Sequence, residues 1–302
     1  MFDLVRLQTL ATVVEAGSFS AAARALHVSQ PAVSRQIALL ERQLDSSLLV
    51  RSRGGVQPTR AGQLLVDHAT AVLDRLALAE VQVKALTAAH TGAVRLGSFF
   101  SALIYLSAEV AALIGDQHPD LVVSDDLVDP ATAYAKLGRG ELDLAIVFDH
   151  DFARTAVPDA LTVDRLFDDP VEILLPATHR LAASPVINPA DLAGDTWIRA
   201  HDGSAADLAE HVLARHRLDP PRLLAGHGDE PVEAQALVAA GRGVTLTHDL
   251  TVIIDKHNLL SRPLAGERFV RHIAVAHATG PLAPVVGTVL DAIRHVGQHH
   301  EI

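Results

Sequence analysis

The feature that most constrains this chain is the short connection His27-Val28-Ser29 between two helical patterns. Before it, Ala21-Ala22-Ala23-Arg24-Ala25-Leu26 reads as a helix that Ser18 or Ser20 can cap, because a serine hydroxyl accepts from the free N–H groups of a first turn. After it, Ser29 stands as the next N-cap, and Pro31 falls in the first turn, where a missing N–H costs nothing. Two helices joined this tightly cross at a steep angle, the helix-turn-helix geometry.

A preceding helix places Leu4, Leu7, Leu10, Ala11 and Val14 on one face and ends at Ala16-Gly17, where glycine supplies a positive φ. The helix after Ser29 runs to about Leu44. At 100° per residue, Val33, Ile37, Leu40 and Leu44 face a core, while Pro31, Ala32, Arg35, Ala38 and Arg42 face away. That outer face is smooth near its start and presents Gln30, Ser34 and Arg35, donors of the kind that read base edges or hold phosphates. Arg51-Ser52-Arg53-Gly54-Gly55 then forms a glycine turn between two short extended pieces, a wing whose Arg51 and Arg53 suit a narrow minor groove.

Thr59 caps a long helix to about Ala89, in which Leu65, Ala69, Val72, Leu76, Ala79, Val83 and Leu86 alternate spacings of four and three. Such a helix spans about 45 Å, too far for a sixty-residue head to bury, so Leu65, Val72, Leu76 and Val83 call for a partner helix from a second copy. From Val94 onward, strands and helices alternate, which predicts a parallel α/β sheet: a strand at Val94-Ser98, a helix over 101–117, strands at Leu121-Ser124 and Leu142-Val147, and a second set from Val171 to about Leu264.

A net charge of −11 looks wrong for binding a polyanion. The distribution decides otherwise: residues 1–60 carry seven arginines against four carboxylates, a balance of +3 that leaves −14 on the remainder. With no cysteine, disulfides and thiolate metal sites are excluded. No apolar run approaches the roughly 20 residues that span a bilayer, and Met1-Phe2-Asp3-Leu4-Val5-Arg6 lacks the order of a signal peptide, so the expected location is the cytoplasm, with no membrane partner.

Phe19 to Ala23 and Leu26-His27-Val28-Ser29-Gln30-Pro31-Ala32-Val33-Ser34-Arg35-Gln36-Ile37 together resemble the LysR-type transcriptional regulators. Leu48-Leu49-Val50-Arg51, Thr59-Arg60-Ala61-Gly62, Gly140 to Ile146 and Val238 to Val244 support the resemblance, which covers essentially the whole chain. It implies a multidomain protein: an all-α winged helix-turn-helix over 1–58, a dimerising linker helix over 59–89, and an α/β effector domain over 92–302 of the type 2 periplasmic-binding-protein kind. Lobe I would hold 92–163 and 269–302 and lobe II 164–268, with crossings near Val163 to Arg165 and Gly266 to Phe269. It further implies assembly as a homodimer or homotetramer on double-stranded DNA, a small-molecule effector between the lobes, and RNA polymerase as a candidate partner. Gln30, Pro31, Ala32, Ser34 and Arg35 become the major-groove and phosphate contacts, and Arg51 and Arg53 the wing contacts. Where many relatives carry a polar turn after the first effector-domain strand, this chain has Ser98-Phe99-Phe100-Ser101. That turn suits a ligand with an aromatic or apolar part, its carboxylate held by Ser98, Ser101 and the next helix's N–H groups. Phe148, Arg199, His201 and Thr247, with His248, follow strand ends, where ligands bind in α/β lobes.

The histidines carry no metal motif: His211 and His216 lack a suitably placed glutamate and read as solvated helix residues, and His295, His299 and His300 sit near the terminus. No nucleophile elbow, phosphate loop or dinucleotide fingerprint appears, so an enzyme is not expected, nor any cofactor or metal. A catalytic reading would also leave the basic head unexplained, and a solute-binding protein would need export.

Overall fold

In the first helix, α1 (Leu4–Ala16), Asp3 accepts from the Val5 N–H at 2.9 Å, and the helix stops where Gly17 turns left-handed at φ +63. Ser18, rather than Ser20, caps α2 (Phe19–Ala25), its hydroxyl accepting from Ala21 N–H at 3.1 Å. His27 at φ +54 and a bond from Val28 N–H to the Ala23 carbonyl close the turn, and α3 (Gln30–Leu44) starts at once under its Ser29 cap. The computed structural model describes residues 2–52, 55–87, 92–201, 203–224, 231–251, 258–266 and 268–300. It divides between Lys84 and Ala85 into two compact units.

Val33, Ile37 and Leu40 of α3 pack on Leu7, Leu10, Val13, Ala22 and Ala23, the core of the first unit. Leu44 departs from the expected pattern and is 38% exposed. It is the last residue of α3, ahead of the left-handed Asp45, and the core closes instead through Leu40 and Leu48. The wing is an antiparallel pair, β1 (Leu49–Ser52) with β2 (Gly55–Pro58). Glu41 accepts from Leu48 N–H at 2.8 Å, and Val56 N–H donates to the Gly17 carbonyl at 2.8 Å, so the ribbon is tied to both α3 and the α1–α2 turn. The long helix α4 (Arg60–Thr87) begins where Thr59 accepts from Gly62 N–H. Its start lies so close to β1 that a Cβ on Gly62 would stand 1.9 Å from the Leu48 carbonyl oxygen. Leu65 and Ala69, expected on the seam, are taken up by this unit's own core, whereas Val72, Leu76 and Val83 are exposed.

The second unit opens with β3 (Ala93–Ser98) and a broken helix: α5 (Phe100–Ala102), a π turn over Leu103–Ser107, then α6 (Ala108–Gln117). There follow β4 (Val122–Leu127), α7 (Pro130–Gly138), β5 (Leu144–His150) and the long β6 (Leu161–Pro176). Beyond it come β7 (Trp197–Arg199), α8 (Gly203–His216), β8 (Arg222–Leu224), α9 (Val232–Ala239), β9 (Thr245–His248), β10 (Leu259–Pro263), β11 (Val270–Ala278) and α10 (Pro284–His299). The main sheet runs β10-β6-β11-β5-β3-β4, with β9 also on β6. The sheet is mixed rather than parallel: β3 pairs parallel with β4 and β5, but β11 returns antiparallel between β5 and β6.

Strand β6 makes the lobes. Residues up to Pro170 pair with β11, and from Val171 onward the same strand pairs with β9 and β10. The first crossing therefore falls at Pro170-Val171, several residues beyond Val163 to Arg165, because the strand continues unbroken through lobe I before changing partners. Lobe I packs α6 and α10 on one side of its sheet and α7 on the other. Lobe II closes around Ile173, Leu175, Trp197 and Leu213. No helix among the described residues is long and apolar enough to cross a membrane.

Candidate functional site

In the first unit, the outer face of α3 is free of core duties. Gln30, Pro31, Ala32 and Arg35 are exposed and Ser34 is half-buried. Arg6 of α1 joins this face, lining a shallow groove with Pro31, Ala32, Arg35 and Gln36. Arg51 lies on β1 of the wing; Arg53 falls outside the described residues.

In the second unit, a cavity of about 80 Å³ opens between the lobes. At ~10–15 Å³ for each enclosed water, it has room for a small metabolite. Phe99, Ser101, Phe148 and His150 line it from lobe I, Arg199, Thr247 and His248 from lobe II, and Arg271 from the crossing strand β11. Phe99 and Phe148 meet edge to face at 4.8 Å, and the Arg271 guanidinium lies 4.9 Å and 5.3 Å from their ring centroids. A wider groove of about 390 Å³ continues past Phe148 and His150.

The charges here are buried. Arg271 donates through Nη2 to Asp169 at 2.5 Å and to Ser101 at 3.2 Å. Asp169, 2% exposed, also accepts from Asp249 N–H. Burial raises the Asp169 pKa against the pull of Arg271. His150 and His248 face each other, Nε2 to Nε2, at 3.4 Å. Burial, then the neighbouring Arg271, push His150 down to about 4, and the same causes hold His248 well below the ordinary range. Both imidazoles are therefore neutral near pH 7. Arg199 pairs with Glu210 on α8. The Nε atoms of Arg271 and Arg199 are buried without a hydrogen-bond partner among the described residues, an arrangement that invites an acceptor from a ligand.

Of the residues expected around the effector, Phe99, Ser101, Phe148, Arg199 and Thr247 line one cavity. Ser98 is turned away: it is fully buried, bonded to Ser107 at 2.8 Å and to Asp125 at 3.2 Å. Phe100 and His201 do not line the cavity either; Phe100 opens α5 and His201 is exposed. His211 is not the solvated residue expected, since its ring stacks on Phe152 at 4.3 Å with only 11° between planes. Arg271 and Asp169 escaped sequence reasoning altogether. They sit within strands with no motif around them, and only the pairing of β11 with β6 sets them opposite each other.

A basic head with a free reading helix, joined to a two-lobed domain with a lined cleft, defines a ligand-responsive DNA-binding regulator. Residues 4–63 match the family described as bacterial regulatory helix-turn-helix protein, lysR family, and residues 87–298 match the LysR substrate binding domain. The chain belongs to the LysR-type transcriptional regulators. It is 30% identical over 294 residues to the small neutral protease regulatory protein of Streptomyces coelicolor, covering 95% of this chain and 89% of that one. It is 27% identical over 289 residues to the Hca operon transcriptional activator HcaR of Escherichia coli, covering 94% of each. Among solved structures, full-length OxyR from Pseudomonas aeruginosa superposes with a TM-score of 0.64 at 22% identity, covering 97% of this chain and 95% of that one. Full-length CbnR complexed with its target DNA gives 0.55 at 18%, covering 98% of this chain and all of that one (100%). The protein is thus a DNA-binding transcriptional regulator with an effector-binding domain, and not an enzyme.

Proposed function

We propose that this regulator acts in the cytoplasm as a homodimer or homotetramer that answers to a small aromatic or apolar carboxylate. The observation that carries the ligand class is the lining of the cavity: two phenylalanines and two arginines face it, and no carboxylate side chain does among the described residues. Asp169 and Glu210, the partners of those arginines, are not among the lining residues. A carboxylate accepting from the unpartnered edges of Arg271 and Arg199, with Ser101 beside it, lets the body of the ligand lie against Phe99 and Phe148. Phe148, Arg199 and Thr247 complete the effector set; Ser98, Phe100 and His201 leave it.

On the DNA side, Gln30, Pro31, Ala32, Ser34 and Arg35 enter the major groove, and Arg51 and Arg53 grip the minor groove or its phosphates. Val72, Leu76 and Val83 form the seam with a second copy, and RNA polymerase is the further partner of the DNA-bound assembly. The test is a gel-shift titration with the gene's own upstream DNA. Affinity is expected to fall steeply as salt rises, through counterion release, and Arg35→Ala is expected to weaken binding by about 1–3 kcal/mol with an unchanged thermal melt. Salt-independent binding, or none, would refute the assignment.

A further inference from the structure

Four buried side chains meet where the strands cross between the lobes. β5, β11 and β6 run side by side, with Arg271 opposite both His150 and Asp169, so the three project from one face of the sheet. His248 reaches the same place from β9 and meets His150 Nε2 to Nε2 at 3.4 Å. With both imidazoles neutral, Arg271 and Asp169 balance and the cluster carries no net charge. A ligand carboxylate on the free edges of Arg271 and Arg199 upsets this balance, because two guanidiniums already paired with Asp169 and Glu210 then serve three carboxylates in a site sheltered from water.

We propose that the carboxylate ligand inferred above binds together with a proton, taken up by the His150–His248 pair, so that this regulator's affinity for its effector rises as pH falls. Geometry selects the histidines over Asp169. Both Asp169 oxygens are committed, Oδ2 to Arg271 and Oδ1 to the Asp249 N–H, and protonation would sacrifice one of those bonds. In the imidazole pair one Nε2 donates and the other accepts, which leaves the donor ring's Nδ1 able to take a proton without breaking the Nε2 bond. The charges around the pair point both ways. Arg271, His272 and His211 disfavour a proton on His150, Asp151 favours it, and Arg199 faces the same cavity. A ligand carboxylate adds the missing negative charge on the side of Arg271, the charged neighbour that most opposes protonation of His150.

The experiment is isothermal titration calorimetry of the full-length protein at pH 6.5 with benzoate, phenylacetate and hexanoate, each beside its amide, in phosphate and in Bis-Tris. Buffers of different ionisation heat report the protons exchanged. The acids are expected to bind with uptake approaching about one proton and with affinity rising by up to about tenfold per pH unit on going from pH 8 to 6, and the amides with none. The double variant His150→Gln, His248→Gln removes two cavity-lining side chains and is expected to bind the acids more weakly than the wild type at pH 6, with no proton uptake and no change of affinity between pH 8 and 6. Acid binding without proton uptake in the wild type, or uptake that survives the double variant, overturns the linkage and leaves the carboxylate assignment standing. Preference for the amides, or no binding of any of the three acids at millimolar concentration, overturns that assignment and the linkage with it.

Discussion

At the scale of the residue, neighbouring positions on one strand do opposite things. Arg271 points into the cleft, while His272, the next residue of β11, points to the other face and is held by Asp168 at 2.8 Å and Asp151 at 2.9 Å. Burial lowers the His272 pKa, but the bonds to Asp168 and Asp151 outweigh it and leave the pKa raised above 6.5. A raised pKa stabilises the fold fully below the unfolded value, and the contribution is lost as pH rises through the folded value. His272→Gln should therefore destabilise the protein at pH 5.5 and make little difference at pH 9. Urea unfolding at both values checks this, and a deficit that grew with pH would contradict it. The alternation of faces along β11 is legible from period two, but which face is the cleft is not.

At the scale of the element, glycines show how context sets the sign of one substitution. Gly62 lets α4 start against β1, with the Leu48 oxygen 1.9 Å from where a Cβ would stand. Gly62→Ala should cost about 1–3 kcal/mol, the range for overpacking. Gly115, exposed within α6, has nothing within 4 Å of its Cβ position. Gly115→Ala should stabilise by about 0.8–1 kcal/mol through helix propensity. Thermal melts of the two variants should move in opposite directions. The helices and turns of the head were legible because caps and glycines act locally: Gly17, Ser18, Ser29 and Thr59 each fix a boundary through groups within three residues. The crossing at Pro170-Val171 was not, since β6 has no local break there and only its partners change.

At the scale of the whole molecule, the long helix carries the proposed seam with a second copy. Its first turns belong to the head through Leu65 and Ala69, and the heptad positions left exposed are Val72 at 45%, Leu76 at 47% and Val83 at 61%. Leu76→Glu places a charge on that seam and should yield a monomer by light scattering while the head keeps its melt; an unchanged oligomer would reject the seam.

The sequence by itself determined what depends on near neighbours and on period: the tight turn at His27 to Ser29, the smooth outer face of α3, the wing, the heptad, the strand and helix alternation, and the charge split between head and body. The tertiary structure alone decided what depends on pairing between distant strands. It drew Leu65 and Ala69 of the heptad into the head's own core, moved the lobe crossing, turned Ser98 away from the cleft, and set His150, Arg271, Asp169 and His248 side by side. Those four residues are separated by up to 121 positions in the chain. Backbone hydrogen bonds across β5, β11, β6 and β9 bring them together, and nothing in the local pattern around any one of them records where its neighbours come from.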